Sequence, residues 1–469
     1  MELLLLPSLE LDVAKLYNPL SLTLLVLVFS LVVIWLNKQA KGTKLNLPPS
    51  PPKLPIIGNI HQVGKLPHRS LRDLSRKYGS LLLMQLGDNP TLVVSSADMA
   101  KEIVKNHDIV FSNRPRTTGA ETLLYGCSDV GFAPYGEYWR QVRKICVLEL
   151  FSLRRVQSFQ CVRDEEVEDL INKIRRACVK GESINLSEML MAVSNNIVSR
   201  CVLSKKTEEE DGKVGQLSRR LLGLLTRFCF GDMFPYLRWM DVLTGLIRRM
   251  KAVSRELDTL FDQIIEEHRA LKNYDTKRDF ISIILQLQRD GLLEMELTHD
   301  NIKAILLDMF VGGTDTTSTT IEWLMGELIK HPCVMKKVQE EVSTDISNGY
   351  IDGYIETTVF INAFAIQRDP NGWEKPEEFI PERFENSPID FKGQDFQFIP
   401  FGSGRRGCSG MAFGVASIEY EIGNLLYWFD WKLLAGEIPD KLDMTELYGL
   451  TVNKKVPLHV LPIIPHLFT

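Results

Sequence analysis

A short loop near the end of the chain constrains the fold more than any other feature. Residues 401–410 read FGSGRRGCSG, so one cysteine, Cys408, stands among glycines and two arginines. Glycine lets a backbone approach a metal closely, and a metal-binding thiolate needs amide N–H groups or positive charge nearby. Arg406 supplies part of that charge, Phe401 supplies an apolar shield, and close approach comes from Gly404, Gly407 and Gly410.

The residues after this loop predict a helix over 411–426. Cys408 would then lie near a helix N-terminus, where the helix dipole also favours a negatively charged sulfur. The pattern therefore predicts a metal-binding thiolate.

Two other interpretations of the loop stay open. Gly402, Gly404 and Gly407 also satisfy G-x-G-x-x-G, with Asp430 near the acidic position of a dinucleotide-binding motif. That motif must open a βαβ unit of a parallel sheet, yet strand–helix alternation is missing upstream. The third interpretation is a buried structural cysteine, which leaves the rest of the pattern unexplained.

A second motif, GGTDTT at residues 312–317, lies inside a stretch that predicts helix from Thr298 onward. Two glycines and three threonines are costly in mid-helix. They are useful if the helix opens locally to admit a small molecule and water, with threonine hydroxyls bonding the freed carbonyls. The alternative is that Thr314 or Asp315 caps a new helix.

The N-terminus predicts a membrane anchor. Residues 16–36 carry no charge, and about 20 apolar residues span a bilayer as a helix. The flank before them is acidic, whereas the flank after them carries lysines, so the main body is expected on the cytosolic side. A cleaved signal peptide is the weaker alternative because its basic leading flank and cleavage site are missing. We therefore expect an anchor at 1–37 and a Lys/Pro-rich hinge at 38–55.

Residues 56–469 are expected to form one domain, mainly α with a small β portion. Apolar residues recur at helical spacing in 165–179, 215–230, 243–272 and 298–343. Alternation predicts strands at 81–86, 91–95, 358–363 and 455–461.

The net charge of −5 argues against a general nucleic-acid binder. The eight scattered cysteines are typical of reduced thiols in a cytosol-facing domain.

The motifs together resemble those of the cytochrome P450 family over nearly the whole chain. The cysteine loop is similar to F-x-x-G-x-R-x-C-x-G, the 312–317 segment to A/G-G-x-D/E-T-T/S, and residues 381–384 to P-E-R-F. Trp139 and Arg143 are similar to W-x-x-x-R, although alone they would suggest a surface cation–aromatic pair. The proline-rich hinge and anchor resemble the microsomal plant branch that acts on specialised metabolites. The loop matches are Phe401, Gly404, Arg406, Cys408 and Gly410.

The resemblance implies a cytochrome P450-type fold that binds haem b through Cys408. It implies that Thr316 steers protons to bound oxygen, that Asp315 links that path to solvent, and that Trp139 and Arg143 bond a haem propionate. The implied function is hydroxylation of a lipophilic small molecule with O2 and electrons from NADPH through cytochrome P450 reductase. The implied location is the endoplasmic reticulum membrane, single-pass, with lipid contact and a cytosolic catalytic domain. Expected pocket walls are 117–128, 304–309 and 449–452.

The chain departs from the family at one place. The family's E-x-x-R motif should lie between the 312–317 segment and P-E-R-F, but the matches here are Glu137–Arg140 and Glu266–Arg269, both earlier. We interpret this as an internal deletion near 342–352, which would leave the buried charge of Arg383 unpaired at a cost of several kcal/mol. Two alternatives follow: a haem-thiolate dehydratase or isomerase, and a catalytically inactive membrane protein.

Overall fold

The structure, a computed structural model, describes most of the chain beyond the N-terminal segment. The described residues are 22–23, 25–27, 29–30, 47–206, 213–270, 279–341, 353–354, 358–385, 387–434 and 436–465. Most of the expected anchor, the first part of the hinge and all of 342–352 lie outside them. Within these ranges no helix is both long and apolar enough to cross a bilayer.

Helices dominate the described chain. The α-helices are α1 Pro67–Tyr78, α2 Ala97–Lys101, α3 Thr118–Leu123, α4 Glu137–Ile145, α5 Leu153–Ser158, α6 Gln160–Lys180, α7 Leu186–Leu203, α8 Lys213–Leu225, α9 Phe230–Met233, α10 Arg238–Leu243, α11 Leu246–Ala270, α12 Phe280–Arg289, α13 His299–Lys330, α14 Pro332–Glu341, α15 Ala363–Ile366 and α16 Met411–Trp428. Two π-helical segments, Glu102–Asn106 and Cys146–Leu150, extend α2 and α4.

The strands are short and form small sheets beside the helices. They are β1 Leu81–Leu86, β2 Asn89–Val94, β3 Ile109–Val110, β4 Ile184–Asn185, β5 Gly353–Tyr354, β6 Thr358–Ile361, β7 Asp430–Lys432, β8 Glu446–Leu447, β9 Asn453–Lys454 and β10 His459–Ile463. β2 pairs antiparallel with β1 and parallel with β6, and β10 pairs antiparallel with β4 and β7. β3 and β5 pair in parallel, and β8 and β9 antiparallel. The predicted fold class, mainly α with a small β portion, is confirmed.

Most predicted elements are present, and the exceptions have local causes. The stretch predicted as helix from Thr298 is two helices, because Pro332 disfavours helical backbone at His331 and then begins α14. The strand predicted at 358–363 ends at Ile361, since the Asn362 side chain accepts from the Ala365 N–H and caps α15. The strand predicted at 455–461 begins later, at His459, just beyond Pro457, which has no N–H for pairing.

Helix α13 runs through the core and positions the 312–317 motif. Thr298 and Asn301 form a reciprocal capping box at its start. The helix packs against α7 and α16 and is buried on nearly all sides. A Cβ at Gly313 would lie 2.9 Å from Val198 Cγ2, so this glycine permits the close approach of α13 to α7.

A buried carboxyl on α16 yields a prediction about stability. Glu421 is 0% exposed, and neither carboxyl oxygen has a hydrogen-bond partner among the described residues. Burial raises its pKa to about 8. The folded state therefore keeps a proton that the unfolded chain releases near pH 4–5, so stability falls as pH rises towards 8.

Glu421→Leu is expected to stabilise the protein, because it removes this penalty at little change in volume. The gain should grow between pH 5 and pH 8 by on the order of 3 kcal/mol. Denaturant titrations of both proteins at the two pH values measure it. Glu419→Leu, an exposed position on the same helix, is the matched control and should show no such growth.

Candidate active site

The cysteine loop is held by its own backbone. Gly402 and Gly404 have positive φ values of 72° and 67°, a conformation that residues with a Cβ rarely adopt. The Cys408 N–H donates to the Phe401 carbonyl at 2.9 Å, and the Gly407 N–H donates to Gly404 at 2.9 Å. These bonds turn the chain so that Cys408 stands three residues before Met411, where α16 begins. The predicted place of Cys408 near a helix N-terminus is confirmed.

The thiol of Cys408 is accessible to solvent although protein surrounds it on most sides. Burial raises its pKa above the ordinary value, while a hydrogen bond from the Gly410 backbone and the charge of Arg143 lower it. The cation that acts on the sulfur is therefore Arg143. An accessible sulfur with an amide and a guanidinium favouring its anion suits a thiolate ligand.

Arg406 has a different role from the one we expected from the sequence. Its guanidinium donates to the carbonyls of Ser112 at 2.6 Å, Val130 at 3.1 Å and Ala133 at 2.6 Å. It also lies 4.3 Å from the ring centroid of Trp139. The expectation that Arg406 supplies charge to the sulfur is wrong in this respect: its donors join the cysteine loop to the chain before α4.

Trp139 is buried, with 3% of its surface exposed, and its Nε1 donates to the Val130 carbonyl at 2.9 Å. The surface cation–aromatic alternative is therefore wrong, because Trp139 is inside the protein and the guanidinium over its ring is that of Arg406. Arg143 lies one turn further along α4 and is half-buried. A propionate bond from Trp139 would have to replace the bond to Val130, so this role stays a prediction.

Phe401 packs beside the loop. Its ring lies 5.9 Å from that of Phe391, and a Cβ at Gly414 on α16 would lie 3.8 Å from the Phe401 ring. Gly410 borders the ring of Phe151, since a Cβ there would lie 3.7 Å from that ring. The loop is thus lined by aromatic rings on the side of α16. The shielding of the sulfur by Phe401 stays a prediction.

The dinucleotide-binding interpretation of Gly402–Gly407 is wrong. Helix α16 follows the loop, but the strand after it, β7, pairs antiparallel with β10. A dinucleotide-binding βαβ unit needs a parallel pair at this point. Among the described residues, no parallel strand pair includes β7.

Helix α13 presents one accessible face at the 312–317 motif. Gly312, Thr316 and Thr320 are exposed at intervals of four, whereas Thr314, Asp315 and Thr317 are buried. A Cβ at Gly312 would meet nothing within 4 Å, so open space lies over this turn. The Thr316 hydroxyl donates to the Gly312 carbonyl at 2.5 Å.

The helix does not break at this motif. It is continuous from His299 to Lys330, so a new helix capped by Thr314 or Asp315 is excluded and the expected local opening is not observed. Space for a ligand comes from the missing side chain of Gly312. The Thr316 hydroxyl does bond a backbone carbonyl, but that carbonyl belongs to an unbroken helix and is not freed by an opening.

Asp315 is 8% exposed and points away from the open face. The Thr451 hydroxyl donates to Asp315 Oδ2. The loop that carries Thr451 is bound to α13 again where Trp323 Nε1 donates to the Val452 carbonyl at 2.8 Å. The predicted pocket segment 449–452 therefore lies directly against α13.

Arg383 is not left unpaired, contrary to our expectation from the missing E-x-x-R motif. It is half-buried, and it donates to the carbonyls of Glu374, Lys375, Glu378 and Ile380 at 2.7–3.2 Å. Four carbonyl dipoles therefore replace the expected carboxylate.

A segment that sequence reasoning missed connects the two motifs. The Val130 N–H donates to Asp308 Oδ2 on α13 at 2.5 Å, while its carbonyl accepts from Trp139 and Arg406. The available signal was a lone acid in each of two apolar runs, Asp129 and Asp308.

Comparison with known proteins agrees with this geometry. The family model described as Cytochrome P450 matches residues 48–354 and 351–460. Phenylacetaldehyde oxime monooxygenase CYP71AN24 of Prunus mume is 48% identical over 476 residues, covering 91% of this chain and 90% of the relative. Cytochrome P450 71A1 of Persea americana is 46% identical, covering 86% and 90%.

A solved structure has the same fold. It is a zebrafish cytochrome P450 with progesterone, to which the chain is similar with a TM-score of 0.70 and 23% identity. The match covers 85% of this chain and 99% of that one.

Proposed function

Because this chain belongs to the cytochrome P450 family, in its plant branch of specialised metabolism, it is a haem-thiolate monooxygenase. We propose that it hydroxylates a lipophilic small molecule. The observation that carries the proposal is the pairing of an accessible Cys408 thiol with an open, glycine-lined face of α13. The redox partner that the family requires is, in this proposal, NADPH–cytochrome P450 reductase.

The residues present fit a haem. Haem, when bound, supplies the activation of O2. Cys408 would be the iron ligand, with the loop residues Phe401, Gly404, Arg406 and Gly410 holding it in place. Trp139 and Arg143 on α4 would face the propionates. The donor chemistry supports this assignment, since an accessible thiol near a helix N-terminus, a guanidinium and an amide N–H stabilise a thiolate.

Thr316 and Asp315 are proposed to move protons to the oxygen side. The Thr316 hydroxyl lies on the open face of α13, and its bond to Gly312 fixes the direction of the hydroxyl. Asp315 is on the opposite, buried side, where Thr451 holds its carboxylate. The exposed Thr316 hydroxyl supports a proton donor at the open face, whereas the supply of protons from Asp315 is proposed from the family resemblance alone.

Thr316→Ala tests this role. We expect product formation to fall by about 100-fold, the usual contribution of a positioned proton donor, while NADPH oxidation falls far less. Reconstituted membranes with reductase give both rates. Thr320→Ala, one turn further along the same exposed face, is the control. An equal loss of product formation in both variants, or unchanged product formation in Thr316→Ala, would exclude Thr316 as the proton donor.

The substrate class rests on the walls of the proposed pocket. Segment 304–309 of α13 is almost entirely apolar and buried, and α3 within 117–128 is likewise largely buried. The name of the Prunus mume relative refers to a small aromatic oxime, which supports a small, largely apolar substrate.

The proposed location is the endoplasmic reticulum membrane, with a single anchor at 1–37 and lipid contact. This location rests on the apolar run at 16–36.

The missing segment near 342–352 is part of the proposal. The family model matches in two pieces that meet at 351–354. The Prunus mume alignment runs over 476 positions while covering 91% of a 469-residue chain, so it contains long gaps. Both observations support an internal deletion that removed the E-x-x-R helix. Sequencing transcripts across residues 341–358 would decide whether the deletion is in the gene product.

One experiment tests the proposed function as a whole. The full chain is expressed in microsomes with reductase, reduced, and exposed to carbon monoxide. A red-shifted thiolate Soret band with NADPH-dependent oxygen uptake supports the monooxygenase. The band without oxygen uptake for any lipophilic substrate would favour a dehydratase or isomerase. Protein in the membranes without the band would mean the inactive alternative.

A further inference from the structure

Residues 128–133, here called the bridging segment, connect α13 with the cysteine loop. The Val130 N–H faces α13, where it donates to Asp308 Oδ2 at 2.5 Å. Two carbonyls of the segment bond the other side: that of Val130 accepts from Trp139 at 2.9 Å, and that of Ala133 accepts from Arg406 at 2.6 Å. The position of this segment therefore sets the position of Trp139 and Arg406.

Two carboxyl groups, here called the carboxyl pair, hold the segment on its α13 side. They are Asp129 and Asp308, and they converge on Gly131. A Cβ there would lie 3.0 Å from Asp129 Oδ2 and 4.0 Å from Asp308 Oδ1. Asp129 is 1% exposed, and its Oδ1 has no hydrogen-bond partner among the described residues.

Two carboxyl groups that converge on one glycine, one of them 1% exposed, do not both ionise readily. Burial raises the pKa of Asp129 to about 6. Burial, and then the negative charge of Asp129, raise the pKa of Asp308 well above its ordinary range. The amides of Val130 and Gly131 act in the opposite direction on Asp308 without cancelling it.

The surrounding groups leave room for one proton on the pair. Two cations face Asp129: Arg406, which lowers its pKa, and Arg114, which donates to the Gly131 carbonyl at 3.3 Å. Both guanidinium groups donate to backbone carbonyls, Arg114 to that of Gly131 and Arg406 to those of Val130 and Ala133. The other facing groups are neutral, because burial raises the pKa values of Cys127, Tyr138 and Cys146.

We propose that Asp129 and Asp308 share one proton and act as positioning residues, which hold the bridging segment and thereby orient Trp139 and Arg406. The proposal rests on the proposed function for the importance of those two side chains, although its test does not need haem. The protonated pair accepts the segment's amides without repulsion. Loss of the proton at higher pH sets two negative charges against each other and loosens the segment.

The test is amide hydrogen exchange of the full-length protein between pH 6 and pH 9, with rates corrected for intrinsic exchange. In the wild type, the exchange protection of residues 128–133 should fall by about tenfold or more as pH rises. A tenfold change is the effect of a pKa shift of about one unit. Asp308→Asn keeps a neutral acceptor for the Val130 N–H, so in this variant the protection of residues 128–133 should stay high and independent of pH. Asp308→Ala should show low protection at every pH.

The matched control is Asp300→Asn, an acid in the first turn of the same helix, which should behave as the wild type. Peptides from β1 and β2 report whether the protein is folded. If they lose protection in Asp308→Ala, the proposal is judged from the wild type and Asp308→Asn alone. Protection independent of pH in the wild type, or a fall with pH in Asp308→Asn, would overturn the proposal. The exchange result does not depend on the carbon monoxide band, so failure of the proposed function is recognised separately.

Discussion

Replacing Cys408 with serine is expected to abolish the red-shifted Soret band that the reduced protein gives with carbon monoxide. That band requires a thiolate on the iron, and a serine hydroxyl remains protonated and donates far less electron density. The bonds that shape the loop run between backbone atoms, such as the Cys408 N–H and the Phe401 carbonyl. The substitution should therefore leave the fold intact while removing the ligand.

Cys161→Ser is the matched control, since Cys161 is an exposed cysteine on α6. It should give the same spectrum as the wild type. Exchange protection of β1 and β2, compared between the two variants, would separate loss of ligand from loss of fold. A red-shifted band that survives in Cys408→Ser would mean that another residue binds the iron.

Arg406→Met is expected to have the second large effect. It leaves the carbonyls of Ser112, Val130 and Ala133 without their charged donor and removes the guanidinium from the face of Trp139. Hydrogen bonds to charged groups are worth about 1.5–3 kcal/mol each, and because Arg406 is only half-buried we expect the low end of that range for its three bonds, a loss of about 4–5 kcal/mol in the free energy of unfolding. Arg406→Lys should recover little, because an ammonium cannot span three carbonyls in one plane.

Denaturant titration measures this loss, and the fraction of thiolate-type carbon monoxide complex measures its effect on the loop. Arg405→Met is the neighbouring control. Arg405 bonds the Tyr135 hydroxyl at 2.8 Å and lies 3.5 Å from Asp108, and its loss should cost about 1 kcal/mol or less. Similar losses in both variants would contradict the bridging role of Arg406.

The two substitutions act on different parts of the site. Cys408 provides the ligand, and the backbone around it holds its geometry. Arg406 provides the connection between that loop and the rest of the protein. A loop with an intact ligand but a loosened connection should still bind haem weakly, so the two variants should differ in protein stability as well as in spectrum.

The missing E-x-x-R motif has a smaller local consequence than the sequence suggests. The sequence alone predicts that Arg383 loses its carboxylate partner. In the structure, four backbone carbonyls surround its guanidinium. Backbone acceptors are invisible to a motif search because every residue carries one. We therefore expect haem retention to depend less on Arg383 than on the contacts around the cysteine loop.

The sequence by itself determined the features that depend on local rules. The glycines around Cys408, the helix that follows, the proline that ends α13 at Lys330 and the family motifs are all readable from neighbouring residues. Only the tertiary structure decided which partners the polar groups take. Arg406 bonds carbonyls more than 270 positions earlier, and Val130 bonds Asp308 across 178 positions. Such contacts depend on how helices pack, and the spacing of the residues along the chain does not specify which groups meet.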